Sequence, residues 1–246
     1  MKIENAVALV TGANGGLGGH WIQGLLNSEV SKIYACARNT QKLESIIATY
    51  PAKIIAIELD ITDESSIIQA ALQCPDVTLL INNAGILLNQ GLIASKDLSA
   101  AKTEIEINYL GTLAMCRAFA PILKMNGGGA IINMLTMLAK ANLPANGSYC
   151  ASKAATFSMT QGVRAELANQ KTLVIGVMPG TIDTGMSKDY PPPKVPPTEV
   201  VKDALQAVMD GVEDVYPGEQ AKELAAQLLS DPKALEKALA QMLPVS

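Results

Sequence analysis

Aromatic side chains are scarce. Phe, Tyr and Trp make up 4% of the 246 residues, with one tryptophan and two phenylalanines. Ala, Val, Ile, Leu and Met must fill the core, which suits close packing of helices on a parallel sheet. Histidine is almost missing. His20 is the only one, so a histidine-rich metal site is excluded and no metal is expected. A Ser-His-Asp hydrolase would have to use that residue, and no G-x-S-x-G elbow accompanies it. His20 itself reads as a packed or surface residue of a helix. The four cysteines (Cys36, Cys74, Cys116 and Cys150) are scattered and form no C-x-x-C pair. That argues against disulfides and zinc and sets the expectation of a reducing, cytoplasmic setting. Basic residues are not in excess: the net charge is −4, so nucleic acid and anionic membranes are poor partners. No apolar run reaches the roughly 18–20 residues of a membrane span. Met1-Lys2-Ile3-Glu4 leads almost directly into an apolar strand, with no signal-peptide pattern.

What is present is a regular alternation of short apolar runs and helical stretches. Strands are expected at about residues 6–10, 32–37, 53–59, 77–81, 130–134, 172–177 and 213–216. Between them, helical patterns cover about 17–28, 40–49, 64–73, 98–126, 149–169 and 198–211, with Thr198 as a candidate cap of the last. The Pro-rich stretch 187–198 cannot be regular helix. The tail from Gln220 reads as two amphipathic segments broken at Asp231-Pro232, with Leu224, Leu228, Leu229, Leu235 and Leu239 at helical spacing. It is expected to pack on the body or on a neighbouring subunit, or to help close the substrate site. No composition shift or repeat interrupts the alternation. The pattern predicts a single domain: a Rossmann-type, doubly wound parallel sheet of about seven strands with helices on both faces. A cofactor half would span about 1–130, a catalytic and substrate half about 130–218, and the tail 219–246.

In such a sheet, ligands sit beyond the carboxyl ends of the strands. After the first strand comes Thr11-Gly12-Ala13-Asn14-Gly15-Gly16-Leu17-Gly18. Glycines allow a sharp turn and close approach, and the helix that follows offers free N–H groups to a pyrophosphate. Further on, Tyr149 and Lys153 stand four residues apart in a helical stretch, on one face. An ammonium beside a phenol lowers the phenol's pKa, which prepares a proton donor or acceptor. Cys150, at the next position, points elsewhere and reads as small core.

Taken together, T-G-x-x-x-G-x-G, Asn82-Asn83-Ala84-Gly85, Asn108, Tyr149-x-x-x-Lys153 and Pro179-Gly180-Thr181-Ile182-Asp183-Thr184 resemble the short-chain dehydrogenase/reductase family, in order, over about residues 4–218. The resemblance implies hydride transfer between a nicotinamide and a carbonyl or alcohol carbon. It implies that Tyr149 moves the proton, that Lys153 lowers its pKa and holds the nicotinamide ribose, and that Asn108 anchors a water linking Lys153 to solvent. The family usually has a serine thirteen residues before the tyrosine; here Thr136 stands there, keeping the hydroxyl and adding a methyl group. Thr136 is expected to fill the serine's role. Cofactor contacts are implied for Gly12, Asn14, Gly16, Leu17, Gly18, Asp60, Ile61, Asn83, Ala84, Gly85, Pro179, Gly180, Ile182 and Thr184, with Tyr149 and Lys153.

After the second strand, Ala35-Cys36-Ala37-Arg38-Asn39 carries no carboxylate to bind a ribose 2′-OH. Arg38 can pair with a 2′-phosphate, so NADP(H) is expected over NAD(H), which is not excluded. Leu87, Leu88, residues 137–143 and the loop 185–198 are the expected substrate lining, mostly apolar, with Lys140, Lys188 and Lys194 as basic exceptions. An apolar ketone or aldehyde, or its alcohol, is the expected substrate. A 3-oxoacyl thioester reductase and a catalytically weak NADP(H)-binding scaffold are the alternatives. Residues 98–126 and 149–169 resemble the family's subunit faces, so a homodimer or homotetramer is expected.

Overall fold

A computed structural model describes residues 1–244. The last two residues of the expected tail lie outside them. Seven strands form one parallel sheet: β1 (Val7–Thr11), β2 (Lys32–Ala37), β3 (Ile54–Glu58), β4 (Leu79–Asn82), β5 (Gly129–Met134), β6 (Thr172–Val177) and β7 (Asp214–Val215). Their order is β3-β2-β1-β4-β5-β6-β7. The order reverses between β1 and β4, and the crevice beyond their carboxyl ends is where this architecture places a ligand.

The central strands β1, β4, β5 and β6 are largely apolar because helices cover both faces of the sheet. On one side, α1 (Gly16–Asn27), α2 (Glu44–Thr49) and α7 (Pro197–Asp210) bury Trp21, Leu25, Ile33, Ile81 and Val201. On the other, α3 (Glu64–Gln73), α5 (Thr112–Met125) and α6 (Gly147–Leu167) bury Leu9, Ile67, Leu80, Met115 and Phe119. The caps follow ordinary chemistry. The Asp63 carboxylate accepts from Ser65 N, and Gly211 closes α7 at φ 73°, a conformation that favours glycine. Two expected helix starts shift. Thr198 is not the cap of α7, because Pro196 precedes Pro197 at the first helical position, where a missing N–H costs nothing. The stretch from Thr40 begins as a 3₁₀ turn, Gln41–Leu43, before α2.

The expected helix over 98–126 runs as α4 (Ser99–Glu104), a π-helical segment (Ile105–Gly111) and α5. Within the π segment, the Asn108 carbonyl accepts from the hydroxyls of Thr112 at 2.8 Å and Thr156 at 3.0 Å. Side chains thus take up a carbonyl that an α-helix would bond through its own backbone.

The tail packs on the body as α8 (Glu219–Ser230) and α9 (Pro232–Leu239). Ala221, Leu224 and Leu228 meet Leu135, Met137 and Met178; Leu235 and Leu239 meet Leu143 and Cys150. Leu229, expected on the packed stripe, points to solvent at 90% exposure. The tail therefore covers the chain between β5 and the start of α6. Leu235→Ala should lower the unfolding free energy by about 2–5 kcal/mol, measured by urea denaturation. An unchanged midpoint would show that α9 is not anchored there.

Candidate active site

The site begins where β1 and β4 end. Thr11 Oγ1 accepts from the backbone N–H groups of Asn83 and Ala84, both at 3.0 Å. The Asn83 amide returns the contact, donating to Thr11 O at 2.9 Å and Gly12 O at 3.3 Å. The two loops are thereby locked side by side. Gly12 has φ 64°, and a Cβ there would stand 3.0 Å from Ala84 Cα. A Cβ on Gly18 would collide with the Gly12 carbonyl. These glycines are therefore required by the close approach of strand, loop and helix. Asn14 steadies the loop through Nδ2 to Asn39 O at 3.0 Å. Gly15 provides no side-chain cap to α1, and the first turn of α1 holds no acidic residue. Its N–H groups and dipole are left for an anion.

A cleft of about 720 Å³ runs from this loop along the sheet edge. Gly12, Asn14, Gly16, Leu17 and Gly18 line it at one side, with Arg38, Asp60 and Ile61. Asn83, Ala84 and Gly85 continue the wall toward Tyr149 and Lys153, and Ile182 and Thr184 face them. Arg38 is exposed and forms no ion pair among the described residues. Asp60 Oδ1 accepts from Thr62 N at 2.9 Å and Thr62 Oγ1 at 2.7 Å. Those bonds, and more weakly Arg38, hold its carboxyl below the usual range. The helix-capping aspartate is Asp63, which leaves Asp60 on the cleft wall. A dinucleotide fits these residues. The volume suits it, the glycine loop is bare of side chains, and a free guanidinium stands where β2 leaves the sheet.

At the other end, α6 carries Tyr149 and Lys153 on one face. Lys153 is 6% exposed, and its Nζ donates to Met134 O at 2.8 Å. Burial lowers its pKa from 10.5 to about 8. Nζ lies 5.9 Å from the Tyr149 ring centre, and a Cβ on Gly85 would stand 3.4 Å from it. The tighter approach at Gly85 is to Asn108 Oδ1, 3.1 Å from a Cβ there. The expected depression of the tyrosine's pKa is not found in this arrangement. Tyr149 is raised above 10.0, first by burial and then by Cys150, Glu104 and Tyr190. The physical reason is that the ammonium is directed to the Met134 carbonyl, and dehydration outweighs it. The Tyr149 hydroxyl has no hydrogen-bond partner among the described residues, and the residue lines the cleft.

Other expected residues sit one layer back. Asn108 is fully buried; its Nδ2 donates to Ile86 O and Ser152 Oγ, both at 2.9 Å, and its Oδ1 accepts from Ile86 N at 2.9 Å. Its carbonyl accepts two threonine hydroxyls, and through its amide Asn108 braces the loop after β4 against α6. Thr136 is 8% exposed. Its hydroxyl accepts from Leu138 N at 3.3 Å and donates to Pro179 O at 3.4 Å, both long and therefore weak. Pro179 is buried and Gly180 partly so, packed against Gln220 of α8, whose Oε1 accepts from Thr181 N at 2.8 Å.

Sequence reasoning missed Gln220, which only the folded tail brings to this loop. It also missed Tyr190, whose hydroxyl bonds Asn89 Oδ1 at 2.6 Å and Asn146 Nδ2 at 2.8 Å, tying the loop after β6 across to the start of α6. Met137 and Leu143, expected in the substrate lining, lie beneath the tail. Lys140 is held by Tyr216 Oη at 2.7 Å and lies over the Phe157 and Tyr216 rings. His20 is exposed. All four cysteines are free and buried, and burial raises their thiols, Cys116 to about 12, so none is a ready nucleophile.

Lys153 makes stability pH-dependent with a definite sign. Its folded-state pKa lies below the unfolded value, so between pH 8 and 10 the unfolded chain keeps a proton that the folded chain releases. The Lys153 contribution to stability therefore rises across that window, by up to about 3 kcal/mol, against the fall that the buried thiols impose as unfolded cysteines lose their protons. Chemical denaturation at pH 8 and pH 10 should show a more positive change in the parent protein than in Lys153→Met. Equal slopes in both would defeat the assignment.

Known proteins match this chain along most of its length. The family model described as short chain dehydrogenase matches residues 6–194. A crystal structure of a short chain dehydrogenase from Burkholderia cenocepacia, in complex with NADP, is 45% identical, with a TM-score of 0.92 over 97% of this chain and 99% of that one. An NADP-dependent 3-hydroxy acid dehydrogenase of Schizosaccharomyces pombe is 27% identical over 194 residues, covering 76% of this chain and 75% of that protein. An uncharacterized oxidoreductase of Staphylococcus saprophyticus is 27% identical over 219 residues, covering 85% of this chain and 93% of that protein. The matched region contains the glycine loop, Asn108, Tyr149, Lys153 and the loop after β6, and the chain belongs to the short chain dehydrogenase family.

Proposed function

We propose that this protein is an NADP(H)-dependent oxidoreductase that interconverts a carbonyl compound and its alcohol, favouring apolar ketones or aldehydes. One observation carries the reading. A single cleft joins the glycine loop and Arg38 at one end to Tyr149 and Lys153 at the other. The cofactor, when bound, supplies or takes the hydride. The chain's residues do the rest. The free N–H groups of α1 hold the pyrophosphate, and the Arg38 fork takes a 2′-phosphate. In the reducing direction the Tyr149 hydroxyl gives its proton to the substrate oxygen as that oxygen gains charge. Its raised pKa keeps it protonated across the neutral range. Lys153 supports it from the same helix face, with an ammonium whose own pKa of about 8 lies close to neutrality. Thr136 turns its proton from the weak bond to Pro179 O toward the substrate oxygen, at little cost.

The apolar substrate is supported by the residues around Tyr149. Ile86, Leu135, Ile182 and Met186 line the cleft, and Leu87 and Leu88, which follow Ile86, are half-buried. Of the three lysines expected at the rim, Lys140 is engaged by two aromatic rings, and Lys194 donates to Ser187 O at 2.8 Å. Those two are engaged within the protein, and Lys188 stays exposed at the rim. Cytoplasmic location and a homodimer or homotetramer belong to the same proposal, on cysteine usage and on the resemblance of α4–α5 and α6 to subunit faces.

A panel of ketones, aldehydes and 3-oxoacyl esters, followed by loss of NADPH absorbance, tests the reading. Tyr149→Phe should abolish turnover while NADPH still binds. Thr136→Ala should lower kcat by about tenfold or more, with Thr136→Ser near the parent. A fully active Phe variant ends the mechanism. For the cofactor, the parent should favour NADPH over NADH in kcat/KM, and Arg38→Asp should reverse the order. Equal kcat/KM for both cofactors in the parent removes Arg38 as the discriminator.

A further inference from the structure

Glu104 is a fully buried carboxylate in a chain whose other acidic side chains lie at or near the surface. One oxygen, Oε1, accepts from Leu88 N at 2.8 Å. The other, Oε2, is sealed from solvent and has no hydrogen-bond partner. A buried carboxylate oxygen without a partner is costly, and such groups persist where the surroundings make use of them. Glu104 ends α4, four residues before Asn108, so the two side chains share a helical face. Asn108 holds both backbone groups of Ile86, and Glu104 holds the N–H of Leu88. Asn108 also donates to Ser152 Oγ, which in turn donates to Tyr149 O at 2.7 Å. One face of this helix therefore grips the loop after β4 and the catalytic helix together.

We propose that Glu104 is a positioning residue of the reaction: from behind the cleft it clamps the segment Ile86–Leu88, which reaches the cleft at Ile86, in register with Tyr149. The proposal rests on Tyr149 as the acid of the proposed function.

Two variants test the clamp. Glu104→Gln keeps the acceptor for Leu88 N; Glu104→Leu removes it. Hydrogen exchange over residues 84–90 should speed up in Glu104→Leu and match the parent in Glu104→Gln. In Glu104→Leu, kcat should fall about tenfold or more while the Kd for NADPH, read from cofactor fluorescence, stays within about twofold. In Glu104→Gln, kcat should recover to within about threefold of the parent. Parent-like exchange or parent-like kcat in Glu104→Leu overturns the clamp, and so does a loss of kcat in Glu104→Gln equal to that in Glu104→Leu. If the parent reduces no carbonyl compound, the proposed function fails instead, and the exchange comparison alone decides the clamp.

Discussion

The reciprocal hydrogen bonding of Thr11 and Asn83 is the constraint on which the site depends. Parallel strands end in loops with no intrinsic reason to stay together. Here each loop satisfies the other's polar groups: a hydroxyl takes two N–H groups, and an amide gives to two carbonyls. The resulting approach leaves no room for a side chain at Gly12 or Gly18. With those loops fixed, the cleft has a rigid floor, and the first turn of α1 is aimed at whatever anion enters. Each bond contributes about 1 kcal/mol, so their value is positional more than energetic.

A second set of polar groups works deeper. Asn82 donates to Asn133 Oδ1 across neighbouring strands at 2.9 Å, and Asn133 donates to Thr160 Oγ1 on α6 at 3.0 Å. Thr160 and Thr156 each bond the carbonyl one turn earlier. Asn82 Oδ1 is left without a partner among the described residues, and the bonds that the two amides do make favour one alignment of helix on sheet. An apolar interface of equal area would let α6 slide or rotate. Tyr149 and Lys153 sit on that helix, so the polar ladder fixes where the proton and the ammonium stand.

Much of this was legible in the sequence, and the limits have physical causes. The strands showed because apolar runs of 4 to 6 residues ended in glycine, asparagine or aspartate. The glycine loop, Asn83, Arg38, Tyr149 and Lys153 showed because backbone geometry or charge leaves few substitutes at those places. The π segment at Asn108 did not show, because it depends on Thr156, far along the chain. The direction of Tyr149's pKa was misread for the same reason: spacing along a helix reveals the ammonium but not the dry surroundings or the Met134 carbonyl that claims it. Nothing in the sequence singled out Glu104, and Gln220 read as the start of an amphipathic tail. Both act through contacts that only the closed fold creates.

The tail carries a consequence for how the protein comes into being. Leu135, Met137, Leu143 and Cys150 are covered by residues from α8 and α9. A ribosome finishes the catalytic helix well before it reaches Ala221. During that interval the segment leading to Tyr149 has its own backbone but not its outer wall, and apolar side chains face water or whatever protein is nearby. The emerging chain is thus vulnerable at the place where its chemistry later resides, and it gains competence only once α8 and α9 have followed.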